Sequence, residues 1–301
     1  MASRTRSAST TALLLIVPLA LVLTGCSAGG GTTAATASGA ASAVDTSAPL
    51  YASLPKAVTD KKEITAGSDI AYAPFESYDT DNTTVIGIDR DIADLLQKQL
   101  GVPITFEKTA FDALVPGLAA GRFDLVWSAI GDTPARAEAV DFVDYFKTGY
   151  GILIKDEDQG KISTLDDLCG LTIGVLSGST SADDADAQSQ KCVADGAAPM
   201  TVSAFKAQSD MNLALSTGRT EAAMITHTAG ADLAKTVGGL TMLDAYRSVN
   251  FGIAMQKGSN ELGTAIQKAL AATLKDGSYA AVLEKYKLSA AALTEFTSTI
   301  K

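Results

Sequence analysis

An α/β fold, with a mostly parallel sheet and helices on both faces, is predicted from Glu63 onward by two observations. Strand-like and helix-like segments alternate along the chain, and the same order runs through twice. A weak internal repeat points to two similar lobes, because Leu118 to Asp124 parallels Leu215 to Glu221. Each has a helix end, a Gly-Arg turn, an acid and then an apolar strand.

The elements follow in order. Ile64 to Ile70 reads as a short strand, followed by the loop Ala71 to Glu76. A helix is expected from about Asp89 to Leu100, with Ile88, Ile92, Leu95, Leu96 and Leu100 on its buried face and Gly101 ending it. Pro103 to Lys108 is a strand, and Phe111 to Ala120 a helix with Asp112 as its N-cap. Phe123 to Ile130 reads as a strand buried on both faces. In the second half, Leu171–Leu176, Met200–Ala204 and Glu221–Thr226 are strands. Helices are expected near Ala182 to Lys191 and from Asp210 to Ser216. An extended stretch, Asn250 to Gln256, precedes two closing helices separated by Gly277.

The segment around Arg136 is chemically the most informative. Thr133 and Pro134 read as an N-cap and first helical residue, which places Arg136 in the first turn. A cation there is disfavoured by the helix dipole by about 0.3–1 kcal/mol. Two readings are open. The guanidinium can receive a carboxylate or phosphate together with the helix N-terminus, or it can pair with Asp132 at i,i+4 on a solvated face.

Composition narrows the function. A net charge of −10 leaves no basic stripe for nucleic acid. A single histidine, His227, removes most His-based metal and acid–base sites, and no cofactor is expected. The N-terminus reads as a targeting segment, with Arg4 and Arg6 followed by the apolar run Ala12 to Leu23, which is short for a membrane span. It ends in Leu-Thr-Gly-Cys at residues 23–26, which resembles the lipobox of bacterial lipoproteins, implying that Cys26 is acylated, with palmitate as a candidate chain, and becomes the mature N-terminus. A secretory signal with an incidental Cys is the other reading. Residues 27 to about 49 are mainly Ala, Gly, Ser and Thr and read as a flexible tether. Cys169 and Cys192 are expected to form a disulfide, which closes a loop of that length for roughly 3 kcal/mol.

Several motifs, in the right order over residues 62 to 287, resemble the amino-acid-binding class of extracellular solute-binding proteins that serve ATP-binding-cassette (ABC) importers. They are Tyr72 to Glu76 (YAPFE) with Gly87 to Leu96 (GIDRDIADLL), Phe111 to Asp124 (FDALVPGLAAGRFD), Ser128 to Phe142 (SAIGDTPARAEAVDF) and Gly174 to Asp183 (GVLSGSTSAD). A cysteine pair like Cys169 and Cys192 is also a feature of some actinobacterial-looking members. The resemblance implies a periplasmic-binding-protein-like type II fold, in which two α/β lobes are joined by two hinge strands around a ligand cleft. The boundaries expected are 1–25 for the signal peptide, 26–61 for the lipidated Cys and tether, 62–150 and 250–301 for lobe one, and 151–249 for lobe two.

The same resemblance implies the site. Arg136 matches the carboxylate-binding Arg, Tyr72 and Phe111 match cleft aromatics, and Asp69 matches a position that contacts the ligand side chain in some relatives. Ser128 and Ala129 are expected to give main-chain contacts, and Ser179 and Thr180 to meet the carboxylate from lobe two. Packing for the aromatics and a plain helix cap for the Ser-Thr pair are the bland readings. Two positions depart from the pattern. Gly131 stands where a Thr is usual, and Thr226 stands where the family carries the Asp that pairs with the ligand's α-ammonium. His227 is either a ligand neighbour or a helix-start residue.

The function implied is a lipid-anchored binding protein for an amino acid or related small carboxylate, monomeric, on the outer face of the cytoplasmic membrane. A membrane permease and its ATPase subunit would be its partners. The alternatives are an enzyme on the same fold, dehydratase-like or lytic, with Glu76 as its best acid, and a solute sensor without transport. A penicillin-binding-type enzyme fits poorly. Ser53 to Lys56 imitates S-x-x-K, but Pro55 is wrong for a helix-mounted nucleophile and no S-D-N follows.

Overall fold

The computed structural model describes residues 43–300. The expected signal peptide, Cys26 and the first part of the tether lie outside the described residues. The last part of the expected tether is not free chain. The Asp45 N–H donates to the Gly101 carbonyl at 2.8 Å and the Leu50 N–H to the Gln99 carbonyl at 2.8 Å. A helix, α1 (Lys56–Lys61), follows. Leu54 and Val58 are buried in the main core. The expectation of a tether reaching residue 61 is therefore corrected: Leu50, Tyr51, Leu54 and Val58 supply apolar surface that the preceding Ala/Gly/Ser/Thr stretch lacks.

The first half of the fold contains β1 (Ile64–Ser68), a small hairpin of β2 (Ser77–Tyr78) and β3 (Val85–Ile86), α2 (Ile88–Leu100), β4 (Ile104–Lys108), α3 (Leu114–Ala119), β5 (Leu125–Val126) and α4 (Pro134–Ala137). A 16-residue strand, β6 (Val140–Lys155), then carries the chain into the second half. That half holds β7 (Thr172–Leu176), α5 (Thr180–Ala194), β8 (Thr201–Phe205), α6 (Gln208–Ser216), β9 (Ala222–Thr226), α7 (His227–Val237) and β10 (Leu240–Met242). The chain returns along β11 (Arg247–Gln256) to α8 (Asn260–Asp276) and α9 (Ser278–Lys285), with Gly277 between them in the left-handed region.

The order across the sheet is β4-β1-β5-β11-β6-β9-β7-β8, with β10 added on β6. Each half has a parallel triplet with the middle strand first in sequence: β1 between β4 and β5, and β7 between β8 and β9. β6 and β11 pair antiparallel from Val140–Gln256 to Tyr150–Arg247 and run through both halves. The expected lobe boundaries at residues 150 and 250 fall inside these two strands. The α/β architecture expected from the alternation is present, but the sheet is mixed rather than mostly parallel, because β6 and β11 cross between the halves and pair antiparallel with each other and with β5, β9 and β10.

Two local expectations are corrected. The helix expected over 111–120 begins as a 3₁₀ turn, Phe111–Ala113, and becomes α3 only at Leu114. Asp112 does not cap it. Its carboxylate instead reaches across to Ser177 Oγ (3.2 Å) and the Lys206 ammonium. The strand expected over 123–130 is only two residues long, because the chain leaves the sheet into a turn in which Ala129 has φ +45°.

Trp127 is wholly buried and meets Tyr145 edge-on at 5.7 Å. In the second half, Cys169 and Cys192 have Sγ atoms 1.97 Å apart and tie α5 to the turn before β7. No helix among the described residues is long and apolar enough to cross a membrane.

Candidate functional site

Parallel strands in an α/β sheet leave a crevice beyond their carboxyl ends. Here the ends of β1, β5, β7 and β9 converge on a small cavity of about 20 Å³ between the two halves. Its lining includes Tyr72, Phe111, Ala129, Gly131 and Arg136 from the first half. Leu176, Ser179, Thr180, Ser181, Gln208, Met224, Ile225 and Thr226 come from the second, and Tyr150 from the crossing strand β6. Among the described residues, Arg136 is the only charged one in this lining.

The Thr133 hydroxyl accepts the Arg136 N–H at 3.3 Å, as the capping reading expects, with Pro134 at the first helical position. α4 is only four residues long, so the cap and the neighbouring backbone fix Arg136 rather than a helix dipole. Its guanidinium donates to the Gly131 carbonyl (3.1 Å) and, across the cleft, to the Gly178 carbonyl (3.0 Å). Its carbon lies 5.7 Å from the centre of the Phe111 ring. Burial pulls the guanidinium pKa down, with Tyr150 and Asp183 opposing the shift. Arg136 nevertheless stays protonated, because an arginine starts so far above neutrality. The alternative pairing with Asp132 is not made. Among the described residues no carboxylate lies within ion-pair distance of Arg136, and the Asp132 backbone is tied to Asn250 instead. A guanidinium has five N–H donors, so two carbonyls leave donors for a carboxylate.

From the second half, the 15-residue helix α5 presents its N-terminus to the same cavity. Ser179 caps it, accepting the Ala182 N–H at 3.2 Å, and Thr180 and Ser181 are buried. The free N–H groups of this first turn favour an anion opposite Arg136. Gly178 precedes the cap at φ +73°, and a Cβ there would stand 2.8 Å from Asp112 Cβ. Glycine is required at this point by both conformation and proximity.

Tyr72 and Thr226 meet across the cleft, with their hydroxyl oxygens 2.5 Å apart. Burial pushes the Tyr72 phenol pKa up. The Tyr150 hydroxyl faces Thr180 and the Arg136 guanidinium. It stands where a side chain on residue 131 would begin, since a Cβ on Gly131 would lie 2.6 Å from it. The guanidinium of Arg247 lies over the Tyr150 ring at 4.6 Å and is itself held by Asp184.

Beneath the cavity wall is a buried acidic layer. Ser128 Oγ donates to Glu76 Oε1 at 2.7 Å and accepts the Asp69 N–H at 2.9 Å. Asp89 accepts from the Tyr145 hydroxyl (2.7 Å) and from the Ala129 N–H (3.2 Å). Desolvation and the neighbouring Asp89 hold the Glu76 pKa well above the carboxylate range. Desolvation also raises Asp89, to about 7, against the hydrogen bonds that stabilise its charge. Asp69 is raised to about 6, chiefly by burial.

Such a two-sided cleft beyond the ends of parallel strands has a clear counterpart among known proteins. Residues 64–289 match the family model of bacterial extracellular solute-binding proteins, family 3. The chain belongs to that family. This family 3 protein is 31% identical over 254 residues to the lysine/arginine/ornithine-binding periplasmic protein of Escherichia coli (strain K12), covering 81% of this chain and 92% of the relative. It is 28% identical over 236 residues to the histidine-binding periplasmic protein of the same strain, covering 75% and 87%. Among solved structures, an ancestral arginine-binding protein bound to arginine superposes with a TM-score of 0.68 at 30% identity, covering 75% of this chain and 98% of that one. An ancestral amino-acid-binding protein described as a precursor of cyclohexadienyl dehydratase gives 0.70 at 29%, covering 76% and 97%.

Of the site residues expected in this family 3 chain, Tyr72, Phe111, Ala129, Gly131, Arg136, Ser179, Thr180 and Thr226 are brought together around the cavity. Asp69 and Ser128 are not in its lining and belong to the layer below. His227 starts α7 and is also outside the lining. Tyr150 and Gln208 line the cavity without having been foreseen as site residues. Tyr150 lies at an expected lobe boundary, and no local motif marks either residue. Among the described residues no group of three His, Cys, Asp or Glu is placed to hold a metal ion.

Proposed function

We propose that this chain is the substrate-binding subunit of an ABC importer and captures an amino acid or related small carboxylate through Arg136. The observation that carries this reading is the guanidinium bridging the Gly131 and Gly178 carbonyls from opposite sides of the cavity, with the N-terminus of α5 facing it. A carboxylate between them would join the two halves, so binding and closure would be one event that a permease can sense. The names of these two relatives, binding proteins for lysine, arginine and ornithine and for histidine, support binding rather than turnover. The buried Glu76, committed to Ser128 and Asp89, is not offered to the cavity as an acid. Acylation of Cys26, which lies outside the described residues, would hold the protein at the outer face of the membrane.

The test is a thermal-shift screen of amino acids, betaines, opines and dicarboxylates on the full chain. A ligand present at 100 times its Kd stabilises by about 2.7 kcal/mol. Arg136→Ala is expected to abolish the shift while leaving the ligand-free melting point near wild type. Undiminished calorimetric affinity in that variant would sink the assignment.

A further inference from the structure

Among the described residues, the cavity that holds Arg136 has one charge and no counter-charge. We infer that its ligand is a carboxylate without an ammonium group, such as a 2-hydroxy or 2-oxo acid, rather than an α-amino acid. This rests on the reading of Arg136 as the carboxylate receptor.

A buried ammonium has three donors and carries a full charge, and burying it without an anionic partner is strongly unfavourable. The wall opposite Arg136 offers no such anion. Thr226, at the carboxyl end of β9, presents a hydroxyl already engaged by Tyr72 at 2.5 Å. Of the carboxylates near the cleft, Asp132 and Asp183 are outside the cavity lining and the others are spoken for. Asp184 holds Arg247 and the Tyr246 hydroxyl, and Asp112 holds Ser177 and Lys206. Glu76 accepts from Ser128, and Asp69, although one of its oxygens is unpartnered, is not in the cavity lining. A zwitterion would therefore bring a second positive charge into a space that already holds a guanidinium. A hydroxy or oxo acid brings only the negative charge that Arg136 lacks. The hydroxyls of Tyr150 and Thr180 can meet an uncharged 2-substituent as donors or acceptors.

Matched series separate the alternatives. The full chain is titrated by calorimetry with L-phenylalanine, 3-phenyllactate and phenylpyruvate, then with the corresponding alanine, leucine, glutamate and arginine series, in wild type, Arg136→Ala and Thr226→Asp. In wild type the deaminated members are expected to bind at least about tenfold tighter than their amino acids, since a charge-assisted partner is worth that much or more. Thr226→Asp is expected to reverse the order. The wild-type comparison stands even where that variant fails to fold. An amino acid binding as tightly as its deaminated partners, with the binding lost in Arg136→Ala, overturns this inference and leaves the carboxylate site standing. Binding that survives Arg136→Ala, or no binding by any member of the series, overturns both.

Discussion

Replacing Gly131 by alanine tests whether the cavity is shaped by its departure from the usual pattern. The added Cβ would lie 2.6 Å from the Tyr150 hydroxyl and 3.1 Å from Val249 Cγ2. The backbone at 131 cannot retreat easily. Gly131 bridges Phe251, and the flanking Ile130 carbonyl and Asp132 N–H are bonded to β11 at 3.0 and 2.9 Å. Relief must come from Tyr150, which is buried, faces Arg136 and Thr180, and carries Arg247 over its ring. Overpacking of this kind costs about 1–3 kcal/mol. Tyr150→Phe alone removes a hydroxyl, and with it about 0.5–1.5 kcal/mol of hydrogen bonding. In the Tyr150→Phe background the main clash is gone, and Gly131→Ala is expected to cost under about 1 kcal/mol, the remainder coming from the Val249 contact. The assay is urea unfolding of the four proteins in a double-mutant cycle, with a coupling of at least about 1 kcal/mol expected. Additivity within about 0.5 kcal/mol would refute the claim that the Tyr150 hydroxyl occupies the space of a residue-131 side chain.

The Glu76–Asp89 pair gives a pH dependence. Both carboxyls are raised in the folded protein, Asp89 to about 7, so between about pH 4 and 7 the native state keeps a proton that the unfolded chain releases. Stability then falls as pH rises through that window, by up to about 1.4 kcal/mol per pH unit for one proton. Glu76→Gln should flatten this slope without abolishing it, because Asp89 and Asp69 are each raised chiefly by burial, which the variant leaves in place. Urea midpoints at pH 5 and 7.5 that differ as much in the variant as in wild type would count against the shared proton. Asp112→Asn should loosen the clasp to Ser177 and Lys206 across the cleft. A partly exposed pair of this kind is worth about 0.2–1 kcal/mol, so affinity should drop by no more than about fivefold and lose part of its salt dependence. An unchanged salt dependence would show that the clasp does not contribute to closure.

Much of the fold was legible because it rests on local pattern. The apolar spacing of α2, the Gly stops at 101 and 277, the Thr133–Pro134 start and the Ser179 cap all appear where the residues place them. The misreadings have physical causes. Asp112 looks like an N-cap, but its carboxylate is claimed by residues more than 60 positions away. Residues 50–58 look like tether until the surface they cover exists. Tyr150 carries no local signal at all, since a tyrosine in a strand is ordinary. Its role appears only when β6 brings it against Gly131, so the glycine was visible as a departure and its cause was not.

The acids in the YAPFE and GIDRD segments then take on a different meaning from that of ligand contacts. Glu76 and Asp89 lie in the layer under the cavity, where Glu76 receives the Ser128 hydroxyl and Asp89 the Ala129 N–H. Ala129 sits at φ +45°, a conformation that costs an L-residue about 1–2 kcal/mol and persists only when its surroundings fix it. Asp89 holds the Ala129 N–H directly, and Glu76 holds the preceding residue through the Ser128 hydroxyl. They turn the chain out of β5 sharply enough for Gly131 to bridge Phe251 and for Arg136 to enter the cleft. On this account the most recognisable segments of the sequence build the frame that aims the guanidinium. On the proposed function, the choice of ligand would fall to Gly131, Tyr150 and Thr226, which line the cavity. Substitutions in the acidic layer should therefore move stability and affinity for all ligands together, whereas substitutions at those three positions should change the rank order of ligands. Site-by-site affinity ranks across the matched acid series would separate the two classes, and a Glu76→Gln protein with an altered rank order would contradict the division.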